Sequence, residues 1–449
     1  MTPVVSAIST ILVISFLTYV GFILVPYLRR TKAAPGDSTR FDWHLFVPCR
    51  DEEAVVATTV ERARERFPRA HLWVIDDDSD DETANIVARY AAVDSHVHLV
   101  QRRRPQARIG KGEALNAAYA ALNHWLPAGT DRSATIVAVV DADGEMAGNA
   151  LDAVSADDAF GNPRVGAVQI SVWMKNRADR TPLPGKGRLR NAFARFLIRM
   201  QDLEFRTVIV GMQSLRAKTG TVGLGGNGQF TRLSVLDDIA AGYEAPWHGS
   251  LLEDYELGVH VLLAGYENRH VDETYVAQEA LPSLRRLLTQ RTRWSQGNIQ
   301  CVKYVKDIVL SPRFDAGGVL ESSYYLILPF VQLLGAGVWL VLLGEGVRAV
   351  VEGRAFAGGA TEIAIAVILG FLFGVAPFAV WGPLYKVRCE PDATWPQAFL
   401  WGVGLWLYTL QLYITLVRAF ARVVLRKGGW LKTRRNAEVD VTGPTAKEV

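Results

Sequence analysis

Nine residues constrain this chain more than any other stretch: Ile136-Val137-Ala138-Val139-Val140-Asp141-Ala142-Asp143-Gly144. Five apolar residues in a row, four of them β-branched, read as a strand buried on both faces. Such a strand needs layers of helix above and below it, which selects the α/β class. Asp141 and Asp143 then leave the core together where the strand ends. In open α/β sheets that carboxyl edge is where ligands bind. Two carboxylates crowded there repel each other unless a cation joins them, and a hard cation such as Mg²⁺ takes one or two carboxylates plus substrate phosphates. Strand ends also carry Asp as turn residues, so this stretch alone leaves both readings open.

From Phe41 to about Ala280 strands alternate with helices. His44 to Pro48 is a strand, followed by a helix from about Glu52 to Arg66; Leu72 to Ile75 is a second strand that runs into six residues, Asp76-Asp77-Asp78-Ser79-Asp80-Asp81. Ser79, Asp80 or Asp81 can cap the helix expected over Thr83 to Tyr90. Capping does not account for Asp76 and Asp77, which sit at the strand end, where a carboxylate can accept hydrogen bonds from the imide and ribose of a nucleotide. No Gly-x-Gly-x-x-Gly follows the first strand, and Gly110-Lys111-Gly112 lacks P-loop spacing. Dinucleotide oxidoreductases and P-loop NTPases are thereby excluded. In Arg108 to Asn116 the glycines suit a close backbone approach and Lys111, at a helix start, suits a phosphate.

The apolar content is concentrated at the ends of the chain. Val4 to Leu28 carries no charge and is stopped by Arg29, Arg30 and Lys32, the pattern of a retained anchor whose following domain is cytoplasmic. Residues 31–40 form a short linker. Ser322 to Gly344, Ile363 to Leu384 and Ala398 to Val417 are each long enough to cross a bilayer. One span before the domain and three after it put the C-terminus outside, yet Arg418, Arg422, Arg426, Lys427, Lys432, Arg434 and Arg435 argue for the cytoplasm. Either the first segment dominates, or one C-terminal segment is re-entrant or interfacial. A net charge of +3 gives no reason to expect nucleic acid, and Cys49, Cys301 and Cys389 are too scattered for a disulfide framework or a thiolate metal site.

Val47-Pro48-Cys49-Arg50-Asp51-Glu52, Asp76 to Thr83, Gly110 to Asn116, Asp141-Ala142-Asp143, Gly225-Gly226-Asn227-Gly228, Leu252-Glu253-Asp254 and Gln290-Arg291-Thr292-Arg293-Trp294 come in the order and spacing of family 2 glycosyltransferases. The last element resembles the Q-x-x-R-W signature of membrane-integrated cellulose, chitin, hyaluronan and poly-N-acetylglucosamine synthases. The resemblance covers about residues 41–300 and the flanking membrane segments. It implies a GT-A domain, Rossmann-like with a mixed, mostly parallel sheet, on the cytoplasmic face of a multi-pass membrane protein. It further implies inverting transfer from a nucleotide-diphosphate sugar, expected to be UDP-linked. Glu52, Asp77 and Lys111 would hold the nucleotide, with Asp141 at the ribose or metal and Asp143 on Mg²⁺ or Mn²⁺. Asp254 would be the general base, because a sugar hydroxyl is a poor nucleophile until a carboxylate takes its proton. Leu252 stands where the family carries Thr, which leaves the base in place but changes its surroundings.

Three stretches complete the reading. Arg188 to Met212 carries Leu189, Phe193, Phe196, Leu197, Met200 and Leu203 at helical spacing, with Arg188, Arg195, Arg199 and Asp202 opposite, as in a helix lying at a membrane interface or one whose apolar stripe packs against the domain, the first reading being preferred. Gly223 to Gly228 fits a flexible turn, and in the resembling family it lines the acceptor pocket at Asn227. Pro282 to Leu310 reads as an amphipathic helix on which Gln290, Arg293 and Trp294 share one face. There Trp offers a flat apolar surface to a pyranose, Arg pairs with phosphate and Gln bonds hydroxyls. The expected division is an anchor over 1–30, the transferase domain over 41–281, an interfacial region over 282–318, membrane helices over 319–425 and a polar tail over 426–449. The expected activity is hexosyl transfer to a growing glycan in processive polysaccharide synthesis. The alternative is single addition to a lipid, as in ceramide glucosyltransferases, and a transporter with a nucleotide-sugar-sensing domain is the remote third. A glycan or lipid acceptor, membrane lipid, and a homodimer or export partner complete the expected associations.

Overall fold

The computed structural model describes residues 3–353 and 359–427, so Lys432, Arg434, Arg435 and the tail from Asn436 lie outside the described residues. One eight-stranded sheet organises the rest, in the order β3-β2-β1-β4-β7-β6-β8-β5. The strands are β1 Asp42–Cys49, β2 His71–Asp77, β3 Val97–Arg102, β4 Thr135–Val139, β5 Glu145–Met146, β6 Val165–Met174, β7 Gln229–Arg232 and β8 Glu267–Gln278. β3, β2, β1 and β4 are parallel; β7 runs antiparallel between β4 and β6, and β6 is parallel to β8. The sheet is thus mixed and mostly parallel, as the motif order implies.

The β-branched run behaves as its composition dictates: every residue of β4 is buried. One face of the sheet packs Val47, Leu72, Ile136 and Phe230 beneath the helices Val56–Arg66 and Thr83–Ala91. The other packs Phe46, Ile75, Val137 and Val139 against Leu115, Leu122, Leu236 and Leu257 of three further helices. Register sets Cys49 opposite Asp76, and Phe46 opposite Val139. The residues that follow β1, β2 and β4 therefore emerge at one edge. The helix after β1 begins at Val56 rather than at Glu52, because Asp51 adopts a left-handed φ of 51° and the turn is tied back to Ser79 and Thr83.

At the opposite edge, His44, His71 and His98 stack with Trp73 and Trp125. Burial, reinforced by the neighbouring imidazoles, lowers the pKa of His44 to about 3 and that of His71 to about 4. Each ring therefore folds neutral, and its contribution to stability is complete above the unfolded value near 6.5 and lost as pH falls toward 4 and then 3. The urea midpoint in detergent should drop over that window, and His71→Phe should flatten the drop; an unchanged slope would refute the assignment.

Four helices among the described residues are long and apolar enough to cross a membrane: Val4–Leu28, Ala316–Val351, Ile363–Cys389 and Trp395–Val424. The last differs from the others. It turns at Leu410, and its two halves lie against the domain. Trp401 sits over Arg199, Tyr408 bonds Glu204 and Arg291, and Arg422 bonds Gln296. Gly382 and Gly402 let its first half meet the preceding helix backbone to backbone, where a Cβ would fall 2.0 Å from the Ala398 carbonyl oxygen and 2.1 Å from that of Ala379.

Two expectations are corrected here. The stretch Arg188 to Met212 is helical but not a regular amphipathic α-helix, because a π-turn interrupts it. It runs as a helix over Arg188–Leu203, a π-turn over Glu204–Ile209 and a second helix over Val210–Thr219. Its apolar stripe divides, with Leu189 and Phe193 exposed and Leu197, Met200 and Leu203 buried. Asp202, expected on the polar side, is wholly buried and accepts hydrogen bonds from Met174 N–H (2.9 Å) and the Tyr385 hydroxyl. The amphipathic stretch from Pro282 to Leu310 likewise splits into a helix over Leu284–Cys301, a 3₁₀ turn and a short helix over Val305–Leu310.

Candidate active site

Glu52, Asp77, Lys111, Asp141, Asp143, Asn227, Asp254, Gln290, Arg293 and Trp294 line one cavity of about 530 Å³ beyond the carboxyl ends of β1, β2 and β4. Glu52 and Asp77 form its near wall. Asp77 is held by the Arg102 guanidinium on one oxygen and by the Arg108 backbone N–H (3.1 Å) on the other. A carboxylate has about four lone-pair sites, so it can still accept from a ligand. Asp76, its neighbour, points away to Ser79 N–H and Arg103.

Lys111 stands at the first turn of the helix Lys111–Trp125 with Asp141 Oδ1 at 2.7 Å, the Gly226 carbonyl beside it and Glu253 at 3.9 Å. Burial alone would lower its pKa, but Asp141 and Glu253 hold it raised, so it stays charged. The glycines around it have different duties. Gly112 lets the helix pack against the His248 carbonyl, which a Cβ would approach to 2.9 Å, so its role is packing rather than ligand approach. Gly226 lies at the site itself, where a Cβ would meet both Asp254 Oδ2 and Lys111 Nζ at 3.1 Å.

Asp143 is almost fully buried, with Oδ2 accepting from the Glu279 backbone N–H (3.1 Å), while Asp141 is partly open to the cavity. The donors at this strand end are carboxylate oxygens, which suits a hard cation of the Mg²⁺ or Mn²⁺ kind. Asn227 accepts from Asp141 N–H (3.2 Å) and donates to Gln278 Oε1 (2.9 Å), so the glycine segment is pinned rather than flexible. Gln169 adds to this by accepting from Gly225 N–H (2.7 Å).

Glu253 and Asp254 open the helix Glu253–Leu263, both buried. Leu252 offers no capping hydroxyl; Asp254 Oδ1 instead accepts from the next backbone N–H, Tyr255, at 2.7 Å. Burial raises the pKa of both acids, and for Glu253 the charge of Asp254 adds to it. A carboxylate raised in this way holds a proton more tightly than an exposed one, which is what a base needs.

Gln290, Arg293 and Trp294 reach the cavity from the helix Leu284–Cys301. The neighbouring Arg291 is the structural member of the set. It forms a bidentate pair with Glu204 (2.8 and 2.6 Å), bonds Tyr408 and lies 4.6 Å from the Trp294 ring centre, fixing that indole against Phe205. Sequence reasoning missed Arg216, which also lines the cavity and pairs through Nε with Glu321 Oε1 (2.8 Å) near the start of the helix Ala316–Val351. The two are 105 positions apart, and nothing local in the sequence joins them.

Residues 42–297 match the family described as "Glycosyltransferase like family 2". The chain belongs to the family 2 glycosyltransferases. It is 26% identical over 291 residues to a protein of Trichormus variabilis named beta-monoglucosyldiacylglycerol synthase, a match that takes in 64% of this chain and 55% of the relative. It is 27% identical to a protein of the same name from Synechocystis sp., over 94% of this chain and 82% of that one. Against the first of these relatives, then, the chain spans about half their length. Its fold resembles that of a mannosyltransferase from Pyrobaculum calidifontis solved with GDP-Man and Mn²⁺, with a TM-score of 0.58 at 17% identity, over 94% of this chain and 99% of that one. This family 2 glycosyltransferase therefore has the GT-A architecture, and the two relatives just described are named for a glycolipid rather than for a polymer.

Proposed function

We propose that the chain moves one sugar from a nucleotide-diphosphate sugar, expected to be UDP-linked, to a hydroxyl of a membrane glycerolipid at the cytoplasmic face, with inversion. One observation carries this reading: the cavity that begins at Asp141 and Asp143 continues to Leu328 and Pro329 of the Ala316–Val351 helix and to Leu412 and Leu416 of the last helix. An apolar end between membrane helices suits acyl chains, whereas a polymer needs a polar path. The names of the relatives favour the same product class, so single addition to a lipid replaces processive synthesis as the preferred reading.

In this mechanism Glu52 and Asp77 accept hydrogen bonds from the nucleotide. Lys111, kept charged and fixed by Asp141, offsets the diphosphate, and Arg293 pairs with it. Asp143 and Asp141 would hold Mg²⁺ or Mn²⁺, which when bound stabilises charge on the departing diphosphate. Asp254 takes the acceptor's proton as its oxygen bonds the anomeric carbon and the carbon–phosphate oxygen bond breaks. Trp294 supports the sugar ring, while Gln290 and Asn227 reach its hydroxyls.

The arrangement of the helices supports three crossings. The end of the first helix and the end of Ile363–Cys389 meet, Arg388 donating to the Leu28 carbonyl (2.8 Å). The start of Ala316–Val351 joins the domain through Glu321. The Trp395–Val424 pair then lies along the interface, which keeps Arg418, Arg422, Arg426 and Lys427 on the cytoplasmic side, as the positive-inside rule asks. Purified protein given diacylglycerol, labelled UDP-glucose and Mn²⁺ in detergent should yield one glycolipid. A ladder of lengthening products would overturn the proposal.

A further inference from the structure

The helix that carries Asp254 holds a second group of ligand-type residues on its far side. Glu256 and His260 are four residues apart and share a face. His248, from the loop before the helix, meets them so that one donor atom from each residue lies within 4.8 Å of the other two. Among the described residues no other three His, Cys, Asp or Glu converge in this way. Glu256 is wholly buried and His260 is 2% exposed, and the two imidazole centres are 4.3 Å apart.

The hydrogen bonds fix the state of His260. The Tyr304 hydroxyl donates to Glu256 Oε1 (2.7 Å), so its oxygen accepts from His260 Nε2–H (3.1 Å). The lone pair of His260 is thereby placed on Nδ1, which is buried and has no hydrogen-bond partner. An unmet buried acceptor is costly in a settled core. Next to a second imidazole and a carboxylate it is a metal donor whose other nitrogen is already oriented by a hydrogen-bonded neighbour.

We propose that His248, Glu256 and His260 form a second divalent-cation site, of the two-histidine, one-carboxylate kind that binds Zn²⁺, separate from Asp141 and Asp143. Zn²⁺ at about 2.0–2.1 Å from each ligand draws the donors to roughly 3.4 Å from one another, with water in the fourth position. Lys303 now sits 3.0 Å from Glu256 with its side chain 58% exposed, so it can move into solvent as the cation arrives. The ion ties the loop before the Asp254 helix to that helix and, through Tyr304, to the turn after the Gln-x-x-Arg-Trp helix.

The test uses the full-length protein in detergent, stripped with EDTA, with Asp141→Asn and Asp143→Asn introduced to silence the first pair. One equivalent of Zn²⁺ should bind and raise the Tm. Co²⁺ should give the visible bands of low-coordinate nitrogen ligation, read also in the wild-type protein in case the double variant folds poorly. His248→Ala, which lies outside the cavity, should lose at least tenfold in affinity and most of the Tm rise. Equal Zn²⁺ binding and equal Co²⁺ spectra in wild type and His248→Ala would overturn the site, as would the absence of stoichiometric binding.

Discussion

Asp254→Asn lowers kcat by about 10²–10⁴-fold and leaves the affinity for the sugar nucleotide within a few fold of wild type. The amide keeps the shape and can still accept from Tyr255 N–H, but it cannot take a proton. The pH profile gives a second readout. Burial holds the Asp254 carboxyl above its ordinary range, against the opposing pull of Tyr255 N–H and Lys111. The base must be ionised, so kcat/KM of the wild type should fall as pH drops through that raised value, at a pH above the usual aspartate figure of about 3.9. The variant should lack that limb. Near wild-type transfer by Asp254→Asn would reassign the base, with the adjacent Glu253 the next candidate.

Arg216→Leu should cost about 3–5 kcal/mol of stability, because it leaves Glu321 buried without its charge partner. Both side chains are under a tenth exposed, and Glu321 Oε2 keeps only the Thr221 hydroxyl (2.8 Å). The double variant Arg216→Leu/Glu321→Leu should recover most of the loss, since an apolar pair of similar volume removes the stranded charge. Thermal unfolding in detergent measures both. A double variant as unstable as the single one would mean that packing of Arg216 over the Tyr325 ring, 4.1 Å away, matters more than the ion pair.

What could be read in the sequence was whatever a local pattern determines. The β-branched run ending in Asp141 and Asp143 had one plausible environment, and the spacing within Gln290 to Trp294 placed three side chains on one helical face. β8 escaped notice because its burial does not alternate: Glu267–Gln278 pairs with both β6 and β5, and it buries the polar Asn268 and Thr274 while its charged residues are half-buried. β7 is four residues long and sits directly after the glycine segment. The buried ties of Arg216 to Glu321 and of Arg291 to Glu204 join elements 105 and 87 positions apart. Such pairings depend on tertiary folding, and composition carries no trace of them. Trp395–Val424 was legible only in part, for a related reason. Its length and apolarity match a span, while Tyr408 and Arg422, which bind it to the domain, look unremarkable in isolation.

That returning helix has a practical outcome. Leu412 and Leu416 close one side of the reaction chamber, and Tyr408 props the arginine that steadies Trp294. A fragment of residues 31–310, free of the candidate spans, would keep the nucleotide half of the chamber and lose the wall that faces the acceptor. Such a fragment should bind sugar nucleotide yet release it unused, so efforts to crystallise or engineer the catalyst must carry its last helix along.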